Sequence, residues 1–307
     1  MMDRVAVIGS SGQLGTDLVS VLRTSGRFEA VPLGRDVAEC TDPESVRRAL
    51  LPIRPKVVIN CAAYVRVDDC EDHPKEAFET NAFGALYVAR ACAELDALCV
   101  YVSTDYVFDG SKSSAYTEDD IPSPINVYGT SKLAGEQLVR QVAPRWLIVR
   151  MASLFGKTGA RGKGGNFIET ILSKAKTGES LRVVDDVKMS PTYTRDAADA
   201  LAAILKKGTT GHLHLVNSGA CTWYEFAKEI LALTGLTNQV VPISSPTHQA
   251  SRPKNSSLRS DRLYGLLKYE LRSWQDALAA YMTEKGHIKR ELFHRRGAEI
   301  AEGEWKN

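Results

Sequence analysis

A phenol and an ammonium four residues apart give the first chemical signal. In Tyr128-Gly-Thr-Ser-Lys132, helical spacing puts positions i and i+4 on one face, so both groups project into the same space. A neighbouring cation stabilises phenolate and lowers a tyrosine pKa. Tyr128 would then be a usable proton donor to a carbonyl oxygen that is receiving hydride, and Lys132 could also bond a cofactor ribose. Upstream, the apolar run 98–102 ends at Ser103-Thr104-Asp105-Tyr106, where the Thr104 hydroxyl could hold and orient the same carbonyl. Earlier still, the run 4–8 leads into Gly9-Ser-Ser11-Gly12-Gln13-Leu14-Gly15. Gly9 permits a tight turn, Gly12 lets a pyrophosphate approach the N–H groups of a helix N-terminus, and Gly15 lets helix and strand pack closely. The spacing is G-x-x-G-x-x-G rather than G-x-G-x-x-G. Each signal has a plainer counterpart: a glycine turn, a threonine closing a turn, a surface helix pair. Their order along the chain is the order that one hydride-transfer site needs.

The elements that must position these residues follow from hydrophobic patterning. Short apolar runs at 4–8, 30–33, 56–61, 98–102 and 146–149 alternate with helical patterns at 13–22, 43–51, 75–95 and 127–142. Asp42 ahead of Pro43 is a helix N-cap followed by a first-turn proline. Runs of this length between helices are buried parallel strands. The expected class is α/β: a Rossmann-type doubly wound parallel sheet with a smaller, mainly helical lobe over the carboxyl edge, where such sheets bind ligands. Residues 1–155 form the dinucleotide-binding part, with 193–217 returning to it. Residues 156–192 and 218–307 form the second lobe and a charged tail.

Composition excludes other classes. The chain has 307 residues, 44% hydrophobic and 25% charged, which rules out disorder as the dominant state. Its 39 basic and 37 acidic residues leave a net charge of +2, without the basic surplus of a nucleic-acid-binding protein. No apolar run approaches the roughly 20 residues of a membrane helix. The N-terminus lacks a signal-peptide layout, so a cytoplasmic location is expected. None of the six cysteines has C-x-x-C spacing, so neither a zinc ribbon nor a redox pair is indicated. His212-Leu-His214 puts two imidazoles on one strand face, with no third ligand beside them. Asp68, Asp69, Glu71 and Asp72 suit the acidic opening of a helix. No metal is expected.

Further segments narrow the class. Asn60-Cys-Ala62-Ala63-Tyr64, residues 102–110 and 126–136, Gly165-Asn166-Phe167, Ser190-Pro-Thr192, and Arg252-Pro253 with Ser256 and Leu258 resemble the dTDP-4-dehydrorhamnose reductase family, within the extended short-chain dehydrogenase/reductase superfamily. The resemblance runs from about residue 5 to residue 281 and includes motifs of the second lobe. It implies NADPH-dependent reduction of the C4 ketone of dTDP-4-dehydro-L-rhamnose to dTDP-L-rhamnose, the last step of dTDP-rhamnose synthesis. It gives Thr104, Tyr128 and Lys132 the catalytic roles argued above. It places Ala62, Ala63 and Tyr64 along the cofactor groove, Asn81 near the cofactor, and Glu39 and Cys40 beside the adenine. Toward the nucleotide sugar it implies Thr104, Asp105, Tyr106, Ser153, Asn166 and Arg252, with Arg161 and Lys163 as further cations for the diphosphate. A homodimer is implied as well.

After the second strand comes Leu33-Gly-Arg35-Asp36. Arg35 could accept a 2′-phosphate, which favours NADPH, while Asp36 leaves NADH open. Two departures bear on the substrate. Ser153 stands where the family pattern Arg-Thr-Ser-Trp-Val-Tyr-Gly has tryptophan, and Val187 stands where the family's Asp-Gln segment has glutamine. Two alternatives follow: a reductase or epimerase of another nucleotide sugar, or a non-catalytic NADP-binding regulatory subunit like the methionine adenosyltransferase β-subunit, which resembles this family.

Overall fold

A computed structural model describes residues 2–159, 165–246 and 249–289. Its strands are β1 (Asp3–Ile8), β2 (Phe28–Leu33), β3 (Val57–Asn60), β4 (Leu98–Thr104), β5 (Trp146–Met151), β6 (Leu154–Phe155), β7 (Leu181–Val184), β8 (Lys188–Met189), β9 (Thr192–Tyr193), β10 (Gly211–His214), β11 (Cys221–Thr222) and β12 (Val240–Ile243). Its helices are α1 (Gln13–Thr24), α2 (Pro43–Leu50), α3 (Val67–Asp72), α4 (Pro74–Phe78), α5 (Gly84–Leu95), α6 (Val127–Val142), α7 (Phe167–Lys176), α8 (Thr194–Leu205), α9 (Trp223–Thr234), α10 (Leu263–Leu267) and α11 (Trp274–Glu284).

β1 to β5 and β10 form one parallel sheet in the order β10-β5-β4-β3-β1-β2. All four residues of β3 are buried, as expected when helices cover both faces. One face packs on α1 and α8 through Leu18, Leu22, Leu201 and Ile204. The other packs on α2 and α5 through Val46, Leu50, Val88 and Cys92. The chain runs outward from β1 to β2 and then returns to place β3 on the other side of β1. That reversal opens a crevice beyond the carboxyl ends of β1 and β3, the usual ligand position in such sheets. A separate core gathers Ile168 and Leu172 of α7, Phe226 and Ile230 of α9, and Leu278 and Tyr281 of α11.

Two segments differ from the patterning. Residues 75–95 are not one helix. A π-helical turn, Glu79–Phe83, separates α4 from α5, and the Asn81 carbonyl accepts a hydrogen bond from the Tyr101 hydroxyl at 2.7 Å. Such turns insert one extra residue and often mark functional ground. The part after residue 219 is also less helical than expected, because β12 pairs in parallel with β7. Val240-Val-Pro-Ile243 is too short for its period to announce a strand.

Candidate active site

A cavity of about 890 Å³ opens along the carboxyl ends of β1, β3 and β4 and reaches the first turns of α7 and α9. Its size is that of a site for one or two small ligands. It is lined by Gly9, Ser11, Gly12, Gln13, Leu14, Gly15, Arg35, Glu39, Cys40, Ala62 and Ala63. Farther along come Thr104, Asp105, Tyr106, Tyr128, Lys132, Ser153 and Asn166.

The glycine loop differs from position to position. Gly9 has φ +75°, and a Cβ there would meet the Ala62 nitrogen at 2.9 Å. A Cβ on Gly15 would stand 2.3 Å from the Gly9 carbonyl oxygen. Gly12 is less crowded: its Cβ would meet only the Gly9 oxygen, at 3.2 Å. Gly12 is also the N-cap of α1, with no side-chain cap and no acid in the first turn. The positive end of the helix is therefore left for an anion. Gln13 lines the cavity, and its buried Nε2 has no hydrogen-bond partner among the described residues. The Arg35 side chain is 86% exposed, with a loose 3.7 Å ion pair to Glu39. Asp36 is absent from the lining; its carboxylate folds back over Gly34, whose Cβ would meet Oδ1 at 2.5 Å. This edge fits a pyrophosphate at the helix N-terminus and a 2′-phosphate at Arg35.

At the chemical centre, α6 begins at Asn126, whose Oδ1 accepts from the Gly129 N–H at 2.7 Å. That cap, with Gly129 pressed onto the Tyr106 carbonyl, seats Tyr128 beside the end of β4. Thr104 Oγ1 donates to Asp105 Oδ1 at 3.0 Å and accepts from the Tyr106 N–H at 3.2 Å. Tyr106 meets Tyr128 edge-on, at 5.9 Å between centroids. Lys132 is buried to 1%. Its Nζ donates to the Val102 carbonyl at 2.7 Å and lies 4.0 Å from the centre of the Tyr101 ring. Burial pulls Lys132 down to about 7, against the opposing charge of Glu136. Burial pushes the Tyr128 phenol above its usual range, and a hydrogen bond with Thr104 draws it back. The net lowering expected from the Y-x-x-x-K spacing is therefore not found: burial outweighs the Thr104 hydrogen bond, and Lys132 spends a hydrogen bond on β4.

Three expected contacts lie elsewhere. Asn81 is fully buried, and its amide clasps the 62–64 loop: Oδ1 accepts from the Tyr64 N–H at 2.8 Å, and Nδ2 donates to the Tyr64 carbonyl at 3.1 Å and to Ser131 Oγ at 3.0 Å. It shapes the groove without lining it. The Tyr64 ring turns away from the cavity to Asp69 and Arg66. Arg252 is also outside the lining, because it forms a fork with Asp68, at 3.0 and 2.7 Å. Asn166 lines the cavity but is largely committed. Its Oδ1 caps α7 at Ile168, and its Nδ2 donates to the Tyr281 hydroxyl at 2.9 Å. Arg161 and Lys163 lie outside the described residues. The two strand histidines part company: His212 lies 3.8 Å from Glu136, while the buried His214 Nδ1 sits 3.1 and 3.0 Å from the carbonyls of Tyr116 and Arg259.

Patterning missed the aromatic end of the cavity. Phe167 of α7 and Trp223 of α9 both line it, with ring centres 4.7 Å apart and planes tilted by 58°. One cue was present in Thr222-x-x-Glu225, a capping box that starts α9 beside Trp223. Ser153 lines the same end with φ +42°, a left-handed conformation uncommon for a residue with a Cβ.

Comparison with known proteins accords with this geometry. The family model described as RmlD substrate binding domain matches residues 2–286. The chain belongs to the dTDP-4-dehydrorhamnose reductase family. It is 36% identical over 285 residues to the spore coat polysaccharide biosynthesis protein SpsK of Bacillus subtilis, covering 92% of this chain and 98% of that one. It is 35% identical over 292 residues to the dTDP-4-dehydrorhamnose reductase of Aggregatibacter actinomycetemcomitans, covering 90% and 97%. A crystal structure of dTDP-4-dehydrorhamnose reductase from Bacillus anthracis in complex with NADP superposes with a TM-score of 0.87 at 35% identity, covering 92% of this chain and all of that one. The family's Rossmann-type fold is the one described above, and no helix among the described residues is long and apolar enough to cross a membrane.

Proposed function

We propose that this chain reduces the C4 ketone of dTDP-4-dehydro-L-rhamnose to dTDP-L-rhamnose, with NADPH as the preferred hydride donor. The observation that carries the reading is a single cavity. It joins an uncapped helix N-terminus and an exposed arginine at one end to a Thr–Tyr–Lys constellation and an aromatic pair at the other. The family relatives named above support the substrate.

NADPH, when bound, supplies the hydride; the rest falls to this chain's side chains. Gly12 and Gln13 at the start of α1 would hold the pyrophosphate, and Arg35 would hold the 2′-phosphate. Lys132, with one hydrogen bond committed to Val102, has ammonium protons left for ribose hydroxyls. Thr104 and Tyr128 hydrogen-bond the sugar's carbonyl oxygen and fix it for attack. Tyr128 then gives its proton to that oxygen as alkoxide develops. Its pushed-up pKa keeps it protonated before reaction, and Lys132 steadies the phenolate afterwards. Phe167 and Trp223 wall the nucleotide-sugar end. We further place the enzyme in the cytoplasm as a homodimer, which light scattering on the purified chain would check.

The test is NADPH oxidation, followed at the nicotinamide absorbance, with dTDP-4-dehydro-L-rhamnose as substrate. Turnover supports the reading; NADPH binding with no turnover overturns it. One observation favours a second reading, reduction of a different nucleotide-linked 4-keto sugar. Ser153 leaves the substrate end without a bulky wall at that position. Faster turnover on another sugar in a panel would select it.

A further inference from the structure

One helical turn beyond Lys132, four polar side chains from four elements meet; Ser103 also lines the cavity, while Glu136, Arg150 and His212 lie behind it. The Glu136 side chain of α6 has no exposed surface, and that of Arg150 on β5 is 3% exposed. Arg150 Nε donates to Glu136 Oε1 at 2.9 Å and Nη2 to Oε2 at 2.7 Å. Ser103 Oγ of β4 donates to Oε1 at 2.5 Å. His212 Nε2 of β10 stands 3.8 Å from Oε2. The remaining Arg150 nitrogen, Nη1, has no partner among the described residues, and the guanidinium lies 5.2 Å from the centre of the Phe108 ring.

As a device for stability this is a poor choice. Desolvating two charges is costly, and apolar replacements of a buried pair are often neutral or better. The location suggests another purpose. Glu136 follows Lys132 by four residues and so shares its helix face. The groups facing Lys132 are Tyr128 and Glu136 of its own helix, Tyr101 of β4, Cys61 after β3 and Cys40 after β2, with Arg150 and His212 behind Glu136. Burial pushes both thiols up, Cys40 to about 11 and Cys61 to about 12, and pulls His212 below its usual range. Burial thus favours the neutral forms of the thiols and the imidazole, and the Glu136 carboxylate, forked to Arg150, is the counter-charge of the group.

We propose that Glu136 is a positioning residue for the reaction: its buried carboxylate keeps the Lys132 ammonium charged beside Tyr128, and Arg150 and Ser103 hold that carboxylate in place. The proposal rests on the roles given above to Lys132 and Tyr128. Ser103, Glu136 and Arg150 then form an anchored counter-charge, delivered through one turn of α6. Without it, the burial that pulls Lys132 down to about 7 would act unopposed, and the lysine would lose its proton at a still lower pH.

The experiment compares wild type with Glu136→Gln, Glu136→Asp and the double variant Glu136→Gln/Arg150→Met, which strands no charge and so protects the fold. NADPH affinity, read by nicotinamide fluorescence, and kcat/KM are measured from pH 6 to 9, with thermal melts as the control for folding. The upper-pH midpoint is expected to fall by about one pH unit or more in Glu136→Gln and in the double variant. Both should approach wild type at pH 6, and Glu136→Asp should recover most of the shift. The same midpoint in all four proteins, with losses uniform across pH, would reduce the cluster to a structural pin and overturn the proposal; so would a wild type with no upper-pH midpoint. The affinity arm needs no sugar, so failure of the substrate reading shows up separately, as absent turnover with the pH shift intact.

Discussion

The two ends of the cavity are built from different material. The dinucleotide end is mostly backbone: the turn at Gly9, the uncapped start of α1 and the close contact at Gly15. The proposed substrate end is mostly side chain: Phe167 and Trp223, carried by segments whose own core is separate from the sheet, and Ser153 just after β5. A site made of backbone tolerates few residue types at its key positions and so leaves a motif. A site made of side chains can change its ligand by changing one wall.

The comparison can be broken by substitution, and the largest effect is expected at Gly15. In Gly15→Val the new Cβ would meet the Gly9 oxygen at 2.3 Å and Ser10 Cα at 2.8 Å, both of them backbone. The expected result is loss of NADPH binding and about 3 kcal/mol of stability, measured by fluorescence titration and chemical denaturation. Arg35→Ala comes next. A charge-assisted contact to a 2′-phosphate is worth about 1.5–3 kcal/mol, so the KM for NADPH should rise roughly 10- to 100-fold while that for NADH stays unchanged. Equal effects on both cofactors would show that Arg35 does not read the phosphate.

Trp223→Ala addresses the other end. The KM for the nucleotide sugar should rise roughly tenfold, in line with truncating a central aromatic contact, with NADPH affinity unaltered. A change confined to NADPH would place the two ends differently. The smallest effect is expected at Arg252. Its fork to Asp68 is partly exposed, with side chains 22% and 44% accessible, so Arg252→Ala should cost about 1 kcal/mol or less in a thermal melt. The sugar KM should stay within about twofold, as expected of a pair lying outside the cavity lining.

The same division governs what the amino-acid pattern reveals. The buried strands and the glycine turn were legible because period, turn chemistry and caps act locally: Asp42 caps α2 through the Glu44 N–H at 3.0 Å. Thr104, Tyr128 and Lys132 were legible because one strand end and one helix face place them. Tyr64, Asn81 and Arg252 were read toward the ligand, yet Tyr64 bonds Asp69, Asn81 clasps the 62–64 loop, and Arg252 forks to Asp68 and reaches the cavity only through Tyr106. A polar side chain's type does not say whether a ligand or a neighbour will claim it. The π-helical turn at Glu79–Phe83 was hidden because amphipathic spacing runs on through it, and the Tyr101 hydroxyl that bonds its Asn81 carbonyl lies on a distant strand. Trp223 escaped notice because its place in the cavity depends on packing against Phe167 across 56 residues of chain.

The central claim is that Tyr128 performs the proton transfer in a site whose cofactor end is built independently of it. Tyr128→Phe tests this most directly, because it removes one hydroxyl and keeps the ring edge-on to Tyr106. NADPH affinity should stay within about threefold of wild type, while kcat on the 4-keto sugar falls by roughly 10²- to 10⁴-fold. Turnover near the wild-type rate in the phenylalanine variant would contradict the account.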